Sequence, residues 1–204
     1  MAHMLLCLHF QPGHIKAPPS MMKADFGLLS PGVTRGACGV GVLVDLNANK
    51  THRLVEDGLR ILCNLDHRGA RGAEEKTGDG AGMLLQKPHE FFRSEILALG
   101  EFDSYGVGQL FIPKDQWKQI ALKKLINAVC REAAFRVVAW REVPTENSDL
   151  GATALQSEPA VRQLFVEPVE RLAPVQLDTK LYVLRRLIEK GEGTQAIFER
   201  TGIM

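Results

Sequence analysis

Apolar and polar positions alternate in period along this chain, and the switches mark its elements. Residues 39–46, Gly-Val-Gly-Val-Leu-Val-Asp-Leu, form a β-branched run closed by Asn47-Ala48-Asn49, the pattern of a buried strand ending in a turn. Leu54, Val55, Gly58, Leu59, Leu62 and Leu65 then recur at three and four, which predicts a helix started by Asn49 or Thr51 and ending near Asp66. Residues 77–82 are turn-rich and 83–86 are apolar enough for a short strand stopped by Pro88.

Further on, the pattern predicts a helix over 89–97, a strand over 105–112, a helix over 114–130 and a strand over 135–140. In the helix over 114–130, Trp117, Ile120, Ala121, Leu125 and Val129 are expected on the buried side. A polar connection over 144–151, a strand over 161–166 and a helix over 179–190, carrying Leu181, Leu184, Leu187 and Ile188, complete the series. No internal repeat interrupts it. Residues 1–37, with Pro12, Pro18, Pro19 and Pro31 among scattered glycines, carry neither period and read as a loosely structured leader. Residues 191–204 form a tail after Gly191 and Gly193.

Composition narrows the classes. The 204 residues are 45% hydrophobic and 24% charged, with a formal net charge of +1, so one sizeable core is expected and bulk charge points to neither nucleic acid nor an anionic membrane. The apolar stretch around Leu5 and Leu6 is too short for a secretory signal or a membrane span. Cysteines 7, 38, 63 and 130 make no CxxC pair, which excludes a closely spaced metal site and suits reduced thiols in a cytoplasmic protein. Cys63 and Cys130, set among Leu62, Leu65, Ile126 and Val129, are expected to be small buried hydrophobes.

Cys38 differs from them. It heads Cys38-Gly39-Val40-Gly41, it follows the small-residue junction Gly36-Ala37, and Arg68 returns from the end of the next helix. Cleavage before Cys38 would create an α-amine with a pKa of roughly 7.7 to 8, able to take the proton of a thiol whose own pKa is about 8.5. A plain free cysteine at a strand edge is the alternative, and His67 and Arg68 equally suit a helix C-terminus. The loop over 77–82 lacks the Gly-Lys-Ser/Thr ending of a phosphate loop, so a tight turn at Asp79-Gly80 is expected.

Taken together, Cys38-Gly39-Val40-Gly41, Val55-Glu56-Asp57-Gly58-Leu59, His67-Arg68-Gly69-Ala70, Lys76-Thr77-Gly78-Asp79-Gly80-Ala81-Gly82 and Pro88-His89-Glu90-Phe91-Phe92 resemble the amino-terminal glutaminase domain of the glutamate synthase large subunit. Gly106-Val107-Gly108, Trp140-Arg141-Glu142-Val143-Pro144, Leu150-Gly151-Ala152-Thr153-Ala154 and the segment from Leu181 to Glu189 continue the likeness, which covers about residues 38 to 190.

The resemblance implies a class II glutamine amidotransferase, an α+β fold of the N-terminal-nucleophile hydrolase type with an αββα four-layer sandwich, incomplete at its C-terminus. It also implies Cys38 as the nucleophile that forms a glutamyl thioester, with Arg68 and Gly69 beside it. L-Glutamine is the implied substrate, and the ammonia released would convert 2-oxoglutarate to glutamate elsewhere in the enzyme. FMN and an iron–sulfur cluster belong to later domains of the family, and no cofactor or metal is expected in this chain.

The family's Arg-Phe-Ser-Thr-Asn substrate clamp and His-Asn-Gly-Glu oxyanion segment do not occur here; Asn47, Asn49, Asn64, Asn127 and Asn147 all lack a following glycine. Substrate-binding residues are therefore not assigned. One oxyanion donor commonly carries about a hundredfold to a thousandfold in rate, so the chain is expected to need the remaining part of glutamate synthase, as a truncated frame or half of a split enzyme. Two other possibilities are a non-catalytic interaction module and the glutaminase part of another class II amidotransferase.

Overall fold

The computed structural model describes residues 6–7, 39–69, 74–78 and 80–190. The expected leader, apart from two of its residues, and the tail over 191–204 lie outside these. The chain forms two compact units, one of Met1–Gly13, Leu84–Ser148 and Ser157–Met204, the other of His14–Met83 and Asp149–Gln156. Among the described residues, no helix is long and apolar enough to cross a membrane.

The first unit is built on a four-stranded sheet in the order β1-β2-β4-β3, with β1 at Leu6–Cys7, β2 at Gly106–Ile112, β3 at Phe135–Glu142 and β4 at Ala160–Pro168. β4 runs antiparallel to both neighbours, pairing Gly108 with Leu164 and Trp140 with Leu164, while the two-residue β1 runs parallel to β2. A bulge between Val137 and Ala139 resets the register of β3, which puts Val137 opposite Val166 and Ala139 opposite Phe165.

Alternation divides the sheet's side chains between two clusters. Leu110, Ile112, Leu164 and Val166 join Leu122, Ile126 and Cys130 of helix α3 (Gln116–Glu132) and Leu177, Leu184 and Ile188 of helix α5 (Pro174–Lys190). Val107 and Phe165 join Tyr105, Leu99 and Phe92, the last from helix α2 (His89–Glu95). Phe92 meets Phe165 edge to face with ring centroids 5.0 Å apart, a geometry favoured by the ring quadrupoles. α5 comes so close to β2 at Gly106 that a Cβ there would overlap the Leu181 side chain.

Strands β2, β3 and β4 and helix α2 stand where the hydrophobic pattern predicts them, and α5 begins five residues earlier. α3 spans the predicted residues, with Asp115 accepting the Lys118 N–H at 2.9 Å as its N-cap, but the buried face differs. Trp117 is 81% exposed and Ile120 and Ala121 face solvent, Leu125 is half-buried and Val129 packs against the core as expected, while Leu122, Ile126 and Cys130 are buried. Both stripes have helical spacing, and the neighbouring β-strands decide between them. Cys130 is buried as expected, and burial pushes its thiol up to about 11. Cys63, by contrast, is exposed.

Lys87 is buried in this unit. Its ammonium donates to the carbonyls of Phe102 and Tyr105, the latter at 2.9 Å, and lies 3.8 Å from the centroid of the Tyr105 ring. Removal from water dominates and pushes its pKa down to about 8, with Asp103 and Asp178 opposing. His89 Nδ1 lies 3.1 Å from the Tyr105 hydroxyl, and burial with the nearby Glu90 charge holds Tyr105 up at about 12.

Candidate active site

The second unit carries the sequence-predicted site. Helix α1 (His52–Asn64) follows Thr51, which sits in the N-cap position with extended backbone but makes no side-chain cap bond. Its outer face carries weak, solvated pairs, Arg53 and Arg60 both on Asp57, each worth a few tenths of a kcal/mol, about 0.2–0.5, and His52 Nε2 lies 3.9 Å from Glu56. The helix then tightens. Leu65 donates to the carbonyls of Ile61 and Leu62, and Asp66–Arg68 form a 3-10 turn closed by the Gly69 N–H on Asp66 at 3.0 Å.

His67 Nδ1 lies 3.0 Å from the Asn64 carbonyl, which can only accept, so this bond places the proton on Nδ1. His67 is thus tied to the helix end. Gly69 leaves the turn extended, at φ −84° and ψ 151°. The side chain of Arg68 lies outside what the structure describes, and so does Cys38.

The run after Cys38 is not the predicted strand. Residues 39–45 have no ladder partner among the described residues and are largely exposed, with Val40 82%, Val42 79%, Val44 72% and Leu46 95% accessible. A period-two pattern makes a segment fit for a sheet, but the ladder's hydrogen bonds have to come from neighbouring strands. The alternation still organises packing. A Cβ on Gly39 would lie 2.8 Å from Leu65 Cδ2, and one on Gly41 would overlap Ile61, so the glycines lie on α1 while the valines point away.

The strand predicted over 83–86 is likewise irregular backbone. Its first residue packs on α1, with Met83 Sδ 2.6 Å from where a Cβ on Gly58 would stand.

One carboxylate organises the rest of this unit. Glu74 Oε1 accepts the Ala152 N–H at 2.7 Å; Oε2 accepts the Thr153 N–H at 3.1 Å and the Thr77 hydroxyl at 2.6 Å. Ala152 and Thr153 open helix α4 (Ala152–Ser157), whose first N–H groups have no intrahelical partner. Hydrogen bonds from Thr77, Thr153 and Ala152 hold the Glu74 carboxyl down at about 2, the Thr77 hydroxyl contributing most. Gly151 donates to the Lys76 carbonyl at 3.3 Å, and Lys76 pairs with Asp149 at 2.6 Å. A Cβ at Gly151 would overlap Thr77 and sit 2.5 Å from Glu74 Oε2.

Sequence reasoning missed Glu74. Glu74 and Thr77 read locally as part of a turn, and nothing in that stretch announces a partner 78 residues away. Residue 79, where a tight turn was expected, lies outside the described residues. Among the described residues no three His, Cys, Asp or Glu side chains are gathered to hold a metal ion.

Residues 38–201 match the family described as class-II glutamine amidotransferases. The chain belongs to that family. It is similar to the glutamate synthase [NADPH] large chain of Bacillus subtilis, 38% identical over 180 residues that make up 87% of this chain and 12% of that one. It is similar also to the chloroplastic ferredoxin-dependent glutamate synthase 2 of Arabidopsis thaliana, 35% identical over 79% of this chain and 10% of that one. With the glutamate synthase [NADH] of Saccharomyces cerevisiae it shares 33% identity over 78% of its length and 8% of the relative's. The chain thus spans about a tenth of the length of these relatives.

Proposed function

We propose that this chain is the nucleophile-bearing portion of a glutamate synthase glutaminase, with Cys38 as its amino-terminal nucleophile once residues 1–37 are removed. The freed α-amine takes the thiol proton. With pKa values of roughly 7.7 to 8 and 8.5, that transfer costs about 1 kcal/mol or less, so no histidine is needed. The thiolate attacks the side-chain carbonyl carbon of glutamine, the amine returns the proton to the departing nitrogen, and ammonia leaves a glutamyl thioester. Water then cleaves the thioester, giving glutamate and the free thiol.

One observation carries the assignment of Arg68 and Gly69 as the neighbours of that thiol. Gly39, the residue after Cys38, packs against Leu65, which opens the turn bearing Arg68. A cation there favours the thiolate, and the exposed Gly69 backbone leaves room for a substrate. The two antiparallel sheets of an αββα sandwich are the fold we infer for the domain, the sheet of the first unit being one of them. The ammonia so formed would aminate 2-oxoglutarate in a part of the enzyme that lies outside this chain.

Intact-mass measurement tests the nucleophile. A species beginning at Cys38 that takes up one equivalent of a glutamine-like diazoketone, and a Cys38→Ala chain that takes up none, are expected. A chain that keeps its leader and stays unlabelled, alone and with the remaining part of a glutamate synthase, overturns the assignment.

A further inference from the structure

The polar ties between residues 74–77 and residues 149–153 belong to no step of the glutaminase reaction, yet they join two stretches far apart in sequence. Glu74 satisfies the N–H groups of Ala152 and Thr153 and the hydroxyl of Thr77, and Gly151 leaves no room for a side chain beside that carboxylate. Lys76 adds its carbonyl to the Gly151 N–H and its ammonium to Asp149. The segment being held is the one that continues from Arg68 and Gly69, with only residues 70–73 between Gly69 and Glu74.

Upstream, the same stretch is held by the helix end, through the Gly69 N–H on Asp66 and His67 on the Asn64 carbonyl. The Arg68 turn therefore lies between two fixed points, the end of α1 and the start of α4. Cutting the second leaves a chain anchored at one end, and loop entropy then works against any single placement.

We propose that Glu74 is a positioning residue for the glutaminase nucleophile, bracing the Arg68–Gly69 turn against the first turn of α4. This rests on the proposed function above. Displacing a group at a reacting centre by about 1 Å can cost on the order of 100-fold in rate, so a loosened turn should slow the chemistry much more than it weakens substrate capture.

The test is saturation labelling of Cys38 by the diazoketone on the full chain, together with whatever part of the enzyme the wild type needs to react. Rates are normalised to the fraction of chain that finally reacts. Glu74→Ala is expected to lower the limiting rate about 10- to 100-fold with the half-saturating concentration within about twofold, and Glu74→Gln, which keeps one acceptor oxygen, to fall between. A merely structural role would reduce the reactive fraction and leave the normalised rate constant unchanged, and that outcome overturns the proposal. So does a Glu74→Ala chain that labels like wild type. If wild-type Cys38 takes no label under any condition, the glutaminase reading fails and the positioning role falls with it.

Discussion

Ile61 occupies the space that a side chain on Gly41 would need. The contact is made by a β-branched side chain on a helix, whose Cγ2 cannot swing aside without leaving its single preferred rotamer. Gly41→Ala should therefore destabilise the second unit by about 1 to 3 kcal/mol, the usual cost of overpacking. Gly80 has nothing within 4 Å of its Cβ position, so Gly80→Ala should stay within about 0.5 kcal/mol. Urea unfolding of both variants checks this; equal midpoints would contradict the packing of residues 39–41 on α1.

The buried face of α3 can be tested in the same way. Leu122 is buried and Trp117 lies out in solvent, so Leu122→Ala should cost about 2 to 5 kcal/mol and Trp117→Ala about 0.5 or less. The opposite order would restore the face that the sequence pattern predicts.

Lys87 makes stability depend on pH in the alkaline range. The unfolded chain keeps this proton up to its ordinary value of 10.5, whereas folded Lys87 releases it near 8. Between the two the unfolded state binds more protons, so stability rises with pH. Cys130 and Tyr105 act in the opposite sense above their ordinary values of 9.0 and 10.0, because the folded thiol and phenol hold their protons up to about 11 and about 12. Urea midpoints should therefore climb from pH 8 to about 9 in the wild type and level off above it, and that climb should flatten in Lys87→Met. An unchanged slope in the variant would show that the climb comes from other groups.

Glu74 governs the acid side of the second unit. Its carboxyl titrates near 2 in the folded chain against an ordinary 4.5, so the stabilisation is complete above 4.5 and is lost as pH falls toward 2. Hydrogen exchange at the Ala152 and Thr153 amides should accelerate through this window, beyond the intrinsic pH trend, in the wild type but not in Glu74→Gln. Asp149, also lowered by Lys76, will leave a smaller residual dependence in the variant. Identical profiles for the two chains would remove Glu74 as the cause.

How much of this was legible in the sequence differs element by element, for physical reasons. β2, β3 and β4 are apolar runs bounded by turns, so local pattern and tertiary burial agree, and the three-and-four repeat of α1 gives the helix it predicts. In α3, Trp117, Ile120 and Leu125 make one helical stripe while Leu122, Ile126 and Cys130 make another, and only the sheet beneath chooses. The run over 39–46 has a strand's alternation without a strand's neighbours. Cys63 sits among leucines in sequence, yet α1 has no fully buried residue at all. α4 was missed because its start signal is not local: the carboxylate that caps it comes from Glu74.

For the candidate site, the motifs point to Cys38, Arg68 and Gly69; the match over residues 38–201 shows the family, and the roles of these three residues rest on the proposal above. The bracing contacts were invisible because they exist only after the chain has folded back on itself.

That fold-back sets a clock on synthesis. At about 5 to 20 residues per second, the 78 residues between Glu74 and Ala152 take roughly 4 to 16 s to translate, and β2 and β3 emerge in the interval. During that delay residues 39–69 have left the ribosome while the Ala152 and Thr153 bonds to Glu74 are still unmade. A nascent chain stalled before Gly151 should therefore keep only the local Thr77 bond to Glu74 and lack those from Ala152 and Thr153, however long it waits.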